Sequence, residues 1–218
     1  MNDSFLNRKF KYTYCNAAQL ILGVNVLVFV LTNFLNVKIK GLSLTYWLSL
    51  IPVFINHGYV WQFVTHMFVH ADMTHILFNM YALMMFGMGL ERAIGSREFV
   101  TFYFVTGIIG GIICYAINVF TGMEFTATMG ASGAIYALMF LVSVLFPENR
   151  VLLFFFIPMK MPLAVIIFMA LEISSQVLGT SAGIAHLSHL SSIAVAWVYC
   201  VVRFRISPLK VWKMALKR

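Results

Sequence analysis

Charged residues are scarce in this chain. Only 10% of its 218 residues are Asp, Glu, Lys or Arg, whereas 61% are hydrophobic and the mean hydropathy is +0.91. Soluble domains carry about 25% charged residues. This composition therefore excludes a soluble globular protein and indicates an integral membrane protein, long enough for one compact bundle.

Cysteine is also rare. The chain has three cysteines, and none has the spacing of a metal site or a redox pair. We therefore expect no metal and no cofactor. Lys and Arg outnumber Asp and Glu by 15 to 7, which in a soluble chain would suggest nucleic acid as a partner. In a membrane protein this charge is better explained by orientation, so we expect no nucleic acid.

The hydrophobic residues form six runs that approach the roughly 20 residues of a membrane-spanning helix. The second and fourth runs are short and contain glycine, which is typical of helices that stop below the bilayer surface under a water-filled pocket. No small-residue cleavage site follows the first run, so we expect a retained anchor and not a signal peptide. The chain is predicted to be all-α, with runs at 17–35, 75–90, 99–120, 131–146, 162–178 and 184–202.

Basic residues lie unevenly between these runs. With both termini in the cytoplasm, 13 of the 15 Lys and Arg residues are cytoplasmic, and only Lys38 and Lys40 lie outside. Cytoplasmic loops of membrane proteins carry such an excess, so we predict six spans with both termini cytoplasmic. The predicted organisation is a cytoplasmic tail over 1–16, a six-helix domain over 17–204 and a basic cytoplasmic tail over 205–218.

The long outside connection, residues 36–74, is rich in aromatic and aliphatic residues. Trp and Tyr favour the membrane–water interface. We expect amphipathic pieces lying in the outer leaflet instead of a free loop.

A serine stands at the start of the fourth run. Polar residues at membrane depth are rare and by default mark a functional site. Ser132 lies between Gly130 and Gly133, which leave the backbone open to a substrate carbonyl. The free N–H groups of a helix N-terminus can stabilise an oxyanion. Alone this motif is weak, because glycine and serine are common packing residues in membrane helices.

The sixth run supplies two candidate bases for Ser132. His186 and His189 are three residues apart and lie near each other on a helix. Either could activate the serine. We prefer His189, which is deeper in the span and precedes a face of small residues. Tyr136 lies one turn after Ser132 and can stack on His189. The alternative interpretation is a buried histidine bonded to a neighbouring helix.

Further histidines lie upstream. His75 and Asn79 are four residues apart on the second run, point the same way, and can donate hydrogen bonds to a developing oxyanion. Hydrogen bonding between helices is the alternative. The spacing of His66 and His70 suggests zinc, but no His-Glu-x-x-His motif is present and the third ligand is unclear.

No acidic residue is placed to complete a catalytic triad. Glu172 lies within the fifth run and its role is open. The predicted arrangement is therefore a dyad in which packing orients His189. Four other acids map to the cytoplasmic side: Asp3, Glu91, Glu98 and Glu148.

Four strings of residues occur in order on these runs. They are HADMTHILFN at 70–79, LER with GS at 90–96, GASGAIYAL at 130–138 and HLSHL at 186–190. From about residue 16 to 204 the chain resembles the rhomboid intramembrane serine proteases of the bacterial six-span type.

This resemblance implies a role for each motif residue. Ser132 would be the nucleophile and His189 the general base, while His75 and Asn79 would support the oxyanion with the Ser132 backbone N–H. Tyr136 would pack on the catalytic histidine. The connection before span two resembles the family's membrane-embedded first loop, and span five with the loop 179–183 resembles its lateral gate and cap.

The resemblance also implies substrates and a location. Family members cut membrane-anchored proteins near the outer face of the bilayer, often at small residues in segments of unstable helix. A bacterial inner (plasma) membrane is expected. One departure is that the family usually has glycines at the positions of Ser192 and Ala196. Both residues are still small, so close packing of spans four and six is expected to survive.

The leading hypothesis is an intramembrane serine endopeptidase acting on transmembrane protein substrates in the lipid bilayer. The alternative is a non-catalytic membrane adaptor that binds single-span client proteins in the same groove. A channel ranks below both, since the polar groups gather toward the outer half. The substrate and the oligomeric state are not specified by the sequence.

Overall fold

Apolar helices form the body of the protein in the computed structural model, which describes residues 10–153, 156–177 and 183–217. Within this part of the chain, three helices are long and apolar enough to cross a membrane, and three others are apolar but shorter. An apolar helix coincides with each of the six predicted runs. The helices are α1 (Ala17–Phe34), α2 (Leu44–Leu48), α3 (Pro52–Asn56), α4 (Gln62–Thr65), α5 (Met73–Ile94), α6 (Ser96–Phe120), α7 (Ser132–Leu145), α8 (Met161–Val177), α9 (Gly183–Val202) and α10 (Pro208–Leu216).

Two small antiparallel sheets depart from the all-α prediction. Strands β1 (Lys38–Ile39) and β2 (Leu42–Ser43) form a hairpin after α1. Strands β3 (Arg150–Leu153) and β4 (Ile157–Lys160) form another between α7 and α8, with Arg150 opposite Lys160. The protein is nevertheless mostly helical, as predicted.

The second long helix is longer than its apolar run suggested. The prediction that it is short is wrong, because α5 has 22 residues. It begins where Asp72 Oδ1 accepts the His75 backbone N–H at 2.8 Å, which caps the helix. It ends before Gly95, whose φ of +83° favours glycine. Glu91 and Arg92 remain helical although they are charged.

Glu91 explains why a charge is kept near the end of α5. Its carboxylate is 1% exposed and caps the N-terminus of α1. Oε1 accepts the Ala17 N–H at 2.7 Å, and Oε2 accepts the Ala18 N–H at 3.0 Å. Ser96 Oγ donates to Oε1 as well. A negative charge at a helix N-terminus satisfies otherwise unpaired N–H groups and interacts favourably with the helix dipole.

Replacing Glu91 by glutamine is expected to lower the free energy of unfolding by about 1–3 kcal/mol. Both carboxylate oxygens accept from N–H groups, and an amide NH₂ in place of one of them would face a second donor. Thermal unfolding of the purified protein in detergent measures the effect. The matched control is Glu148→Gln, an acid whose side chain is 54% exposed, which should change the midpoint little. An unchanged midpoint for Glu91→Gln would contradict the capping role.

Helices α6, α7 and α9 pack against one another at the centre of the bundle. Large side chains such as Phe102, Tyr103 and Phe140 are fully buried there. The helices approach closely because small residues meet: Ser192 of α9 fits between Gly110 of α6 and Gly133 of α7. A Cβ at Gly110 would lie 2.2 Å from Ser192 Oγ, and one at Gly133 would lie 2.8 Å from it.

The connection between α1 and α5 consists of the hairpin and short helices. Trp47, Tyr59 and Trp61 form an aromatic cluster, with ring centroids of Trp47 and Trp61 6.0 Å apart. The connection is joined to the loop before α7 by two backbone hydrogen bonds between Leu50 and Thr128. It therefore helps to hold the chain that leads to Ser132.

Near the C-terminus, α10 folds back onto the bundle. Trp212 is buried against Phe140, and its Nε1–H donates to Ser143 Oγ at 3.1 Å. Residues 1–9 and the predicted cap loop 179–183, apart from Gly183, lie outside the described residues.

Candidate active site

Ser132 is the first residue of α7, and the loop before it determines its position. Gly130 has a φ of +119°, which side-chain-bearing residues rarely adopt. The Gly130 N–H donates to the His66 carbonyl at 2.9 Å, which ties this loop to the connection before α5. The hydroxyl of Ser132 is thereby placed at the N-terminus of a helix, among N–H groups that lack intrahelical partners.

His189 of α9 meets this serine. Its Nε2 lies 2.7 Å from Ser132 Oγ, although the two residues are 57 apart in the chain. The Tyr136 ring stacks on the imidazole with centroids 4.3 Å apart and planes 15° from parallel. The closeness of α7 and α9 depends on Gly133, where a Cβ would lie 3.3 Å from Ser188 Oγ. A hydroxyl and an imidazole at this distance are placed for proton transfer.

Ser192 and Ala196, the two small residues of α9 where the resemblance led us to expect glycine, are both fully buried. Ser192 occupies space that Gly110 leaves open on α6, so its hydroxymethyl group fits without separating the helices. Ala196 is 0% exposed. The expectation that α7 and α9 still pack closely is consistent with these contacts.

His75 lies beside Gly130. A Cβ at Gly130 would be 2.8 Å from His75 Nε2 and 3.4 Å from Ser132 Oγ, so the ring edge approaches the serine. The Ala71 N–H points at His75 Nδ1 at 3.4 Å. Because Nδ1 faces a donor, the neutral ring carries its proton on Nε2, the nitrogen near Gly130.

Asn79 lies one turn further along α5. It is 6% exposed, and its amide Nδ2 donates to the His75 carbonyl at 3.0 Å. Its side chain lines the same cavity as Ser132 and His75. Both predicted oxyanion donors thus line the cavity that contains Ser132.

This cavity has a volume of about 680 Å³ and lies between α5, α7, α8 and β3. Ser132 and His189 are among the residues that line it. Its walls are apolar and include side chains that are partly exposed at the surface, such as Phe78 at 58% and Met85 at 45%. A cavity of this kind could admit an extended peptide segment from the side.

Glu172 of α8 lies next to the imidazoles. Its Oε1 accepts the Tyr136 hydroxyl and lies 3.1 Å from His189 Nδ1, and its Oε2 contacts His186 Nδ1. The sequence predicted that no acid is placed to complete a triad, whereas the structure places Glu172 beside His189. A sequence signal existed, since Glu172 is the acid that lies within an apolar run.

The second candidate base, His186, is directed to Glu172 and not to Ser132. The ring centroids of His186 and His189 are 6.4 Å apart. Together with the Glu172 carboxylate, their ligand atoms lie within 4.8 Å of one another and could hold a metal ion. Two imidazoles and a carboxylate are a donor set that suits zinc. In the structure His186 Nδ1 is hydrogen-bonded to the Glu172 carboxylate, and His189 Nδ1 lies 3.1 Å from it.

Among the described residues, neither ring of the upstream pair His66 and His70 is hydrogen-bonded to Ser132, although the ring centroid of His70 lies 5.0 Å from that of His75. Both His66 and His70 are buried, and burial lowers the pKa of each imidazole to about 4. His66 Nδ1 donates to the Gln62 carbonyl at 2.9 Å, and its ring packs where a Cβ of Gly111 would lie. Neither belongs to the group of potential metal ligands found among the described residues. His66 is thus a buried, hydrogen-bonded packing group, whereas both ring nitrogens of His70 are buried without a hydrogen-bond partner among the described residues.

Comparisons with known proteins bear on this site. The model of the Rhomboid domain family matches residues 57–206. One relative is YdcA of Bacillus subtilis, whose name describes it as a rhomboid protease. It is 36% identical over 99 residues, which are 44% of this chain and 48% of YdcA. The rhomboid protease GlpG of Haemophilus influenzae is 31% identical over 140 residues, 64% of this chain and 68% of GlpG.

A further relative is RHOMBOID-like protein 12, mitochondrial, of Arabidopsis thaliana. It is 31% identical, and the match covers 64% of this chain and 46% of the plant protein. The chain thus spans about half the length of YdcA and of the plant protein. Relatives occur in both bacteria and mitochondria.

Proposed function

The chain belongs to the rhomboid family, and from that premise we propose that it is an intramembrane serine endopeptidase. Ser132 is the nucleophile and His189 the general base. The observation that carries this assignment is the 2.7 Å contact between Ser132 Oγ and His189 Nε2, two residues that line a cavity in an apolar bundle. Gly130, Gly133 and Tyr136 support the pair by the contacts described above.

The protein crosses the membrane six times, with both termini in the cytoplasm. The catalytic domain is 17–204, flanked by tails 1–16 and 205–218. The distribution of Lys and Arg between the apolar helices supports this topology. The location that suits the bacterial relatives is the inner membrane, with the active site near its outer face.

Cleavage begins when Ser132 Oγ attacks the carbonyl carbon of the scissile peptide bond. His189 Nε2 takes the hydroxyl proton as the new C–O bond forms, and the carbonyl oxygen becomes an oxyanion. His189 then gives that proton to the leaving nitrogen, the C–N bond breaks, and an acyl-enzyme remains. Water, with its proton taken by the same histidine, hydrolyses the ester and releases Ser132.

The oxyanion is stabilised by the Ser132 backbone N–H, by His75 Nε2–H and by the Asn79 amide. The Ser132 N–H belongs to the first turn of α7 and so lacks an intrahelical partner. In the ground state Asn79 donates to the His75 carbonyl. When the oxyanion forms, the Asn79 amide donates to it, either in place of the His75 carbonyl or in addition to it. Donors aimed at developing charge in a site of low dielectric contribute strongly to catalysis.

The substrates are transmembrane proteins. Their scissile segment lies extended in the cavity between α5 and α8. There the apolar lining contacts its side chains, and Ser132, His75 and Asn79 contact its backbone. Segments with small residues and weak helical propensity suit this cavity best, because a stable helix keeps its carbonyls paired and inaccessible.

The deciding experiment is cleavage of a fluorescent single-span substrate by the purified protein in detergent, beside labelling with a serine-reactive fluorophosphonate. The wild type is expected to cleave and to be labelled, and Ser132→Ala is expected to do neither. Ser174→Ala, on the exposed face of α8, is the matched serine control and should behave as wild type. An unlabelled Ser132 and no cleavage over a panel of helix-unstable substrates would instead favour the adaptor, which binds single-span clients without cutting them.

A further inference from the structure

Glu172 is an ionisable side chain buried in an apolar helix. It is 6% exposed, and α8 contains no other charged residue. Charged groups at membrane depth are costly and persist where they pair with other polar groups. The partners of Glu172 therefore indicate what it does.

Those partners come from two other helices of the active site. Tyr136 of α7 donates its hydroxyl to Oε1, and His186 of α9 contacts Oε2. His189 presents Nδ1 to Oε1 at 3.1 Å. One carboxylate thus touches the second nitrogen of the proposed base and the phenol of the tyrosine that stacks on it.

The state of the imidazole follows from its two neighbours. His189 Nε2 must be unprotonated to accept the proton of Ser132, so the neutral ring carries its proton on Nδ1. Nδ1 is the nitrogen that faces Glu172. A carboxylate at this position favours the reactive tautomer and stabilises the imidazolium that forms when the serine attacks.

We propose that Glu172 is a positioning residue for the catalytic histidine, an inference that rests on the proposed function. It holds His189 in the Nδ1–H tautomer, stabilises its protonated form and touches no substrate atom. The pair Ser132–His189 is then extended to a triad whose acid comes from α8.

The geometry of the pair is that of a resting enzyme. The Nδ1–Oε1 distance is short, but the ring N–H does not point along it closely enough for a hydrogen bond. Such contacts often align only in the complex with substrate. Tyr136 lies parallel to the imidazole with ring centroids 4.3 Å apart, so it restricts tilting of the ring.

A purely structural role makes a different prediction. If Glu172 only anchored α8 to α7 and α9 through Tyr136 and His186, its removal would lower stability and the fraction of active protein. Each correctly folded molecule would still turn over at the wild-type rate. Activity per labelled serine therefore separates the two roles.

The test compares Glu172→Gln and Glu172→Ala with wild type and with Glu148→Gln, the same chemical change at an exposed acid. The full-length protein is assayed in detergent with EDTA present, because the same three groups could hold a metal ion. Fluorophosphonate labelling carried to completion counts the active sites. For both Glu172 variants, kcat per labelled serine is expected to fall by about 10²-fold or more, with KM within about threefold of wild type. Glu148→Gln is expected to keep the wild-type kcat.

Two results would overturn the assignment. One is a kcat per labelled serine close to wild type in whichever Glu172 variant folds, and the other is a loss confined to KM or to the melting temperature. Failure of the proposed function is recognised separately, because it would show as a wild type that neither cleaves nor reacts with the fluorophosphonate. If the wild type cleaves and the Glu172 variants keep its kcat, the triad is wrong and the Ser132–His189 dyad stands.

Discussion

Replacing His189 by alanine is expected to lower kcat by about 10³-fold or more and to slow fluorophosphonate labelling of Ser132 to a comparable degree. His189 Nε2 lies 2.7 Å from Oγ. Without this imidazole, no other side chain among the described residues is hydrogen-bonded to Oγ to take its proton, and an unassisted serine is a weak nucleophile. If the protein were instead a non-catalytic adaptor, His189→Ala would leave the binding of client proteins intact. Initial rates on a single-span fluorescent substrate measure the effect.

The comparison with His186→Ala makes this result specific. His186 contacts the Glu172 carboxylate and not Ser132, so its loss should lower kcat by less than about tenfold. Since the two histidines are three residues apart on α9, both substitutions disturb the same region of the helix. A larger loss for His186→Ala than for His189→Ala would mean that the wrong histidine has been assigned as the base.

The main helices could be predicted from the sequence because hydrocarbon imposes a simple rule on composition. Runs of apolar residues must pair their backbone groups internally, so they become helices. Ser132 and His189 stood out for the same reason, since polar groups at such depth are costly. The end of α5 was missed because Glu91 is charged, and its burial depends on α1, which lies 73–74 residues earlier in the chain.

The position of Glu172 could not be predicted by the same rule. In a soluble protein, the polar face of a helix shows which side meets solvent and which side packs against the core. In α8, apolar residues occur on every side, so periodicity does not indicate which face meets α7 and α9. The contact of Glu172 with His189 follows from the packing of three helices. The hairpin of β3 and β4 was missed because strands of four residues leave too short a pattern to detect.

Substitution of Gly130 by alanine is expected to reduce kcat by about 10²-fold or more, although the added group is one methyl. Two effects combine. A φ of +119° is unfavourable for alanine, at a cost of about 1–3 kcal/mol. The new Cβ would also lie 2.8 Å from His75 Nε2 and 3.0 Å from its Cε1, so the ring or the loop must move. Either movement changes the position of Ser132 relative to His75, the proposed oxyanion donor beside it.

A control in the same loop separates these effects. Gly122 has a φ of +74° but has no atom within 4 Å of its would-be Cβ, so Gly122→Ala carries the backbone strain without the collision. It should cost stability with little change in kcat per labelled serine. The double variant Gly130→Ala/His75→Ala should be little worse than His75→Ala, because the collision partner is gone. If Gly122→Ala reduced kcat as strongly as Gly130→Ala, backbone strain alone would explain both losses. The close contact between His75 and the serine loop would then not be the reason that position 130 requires glycine.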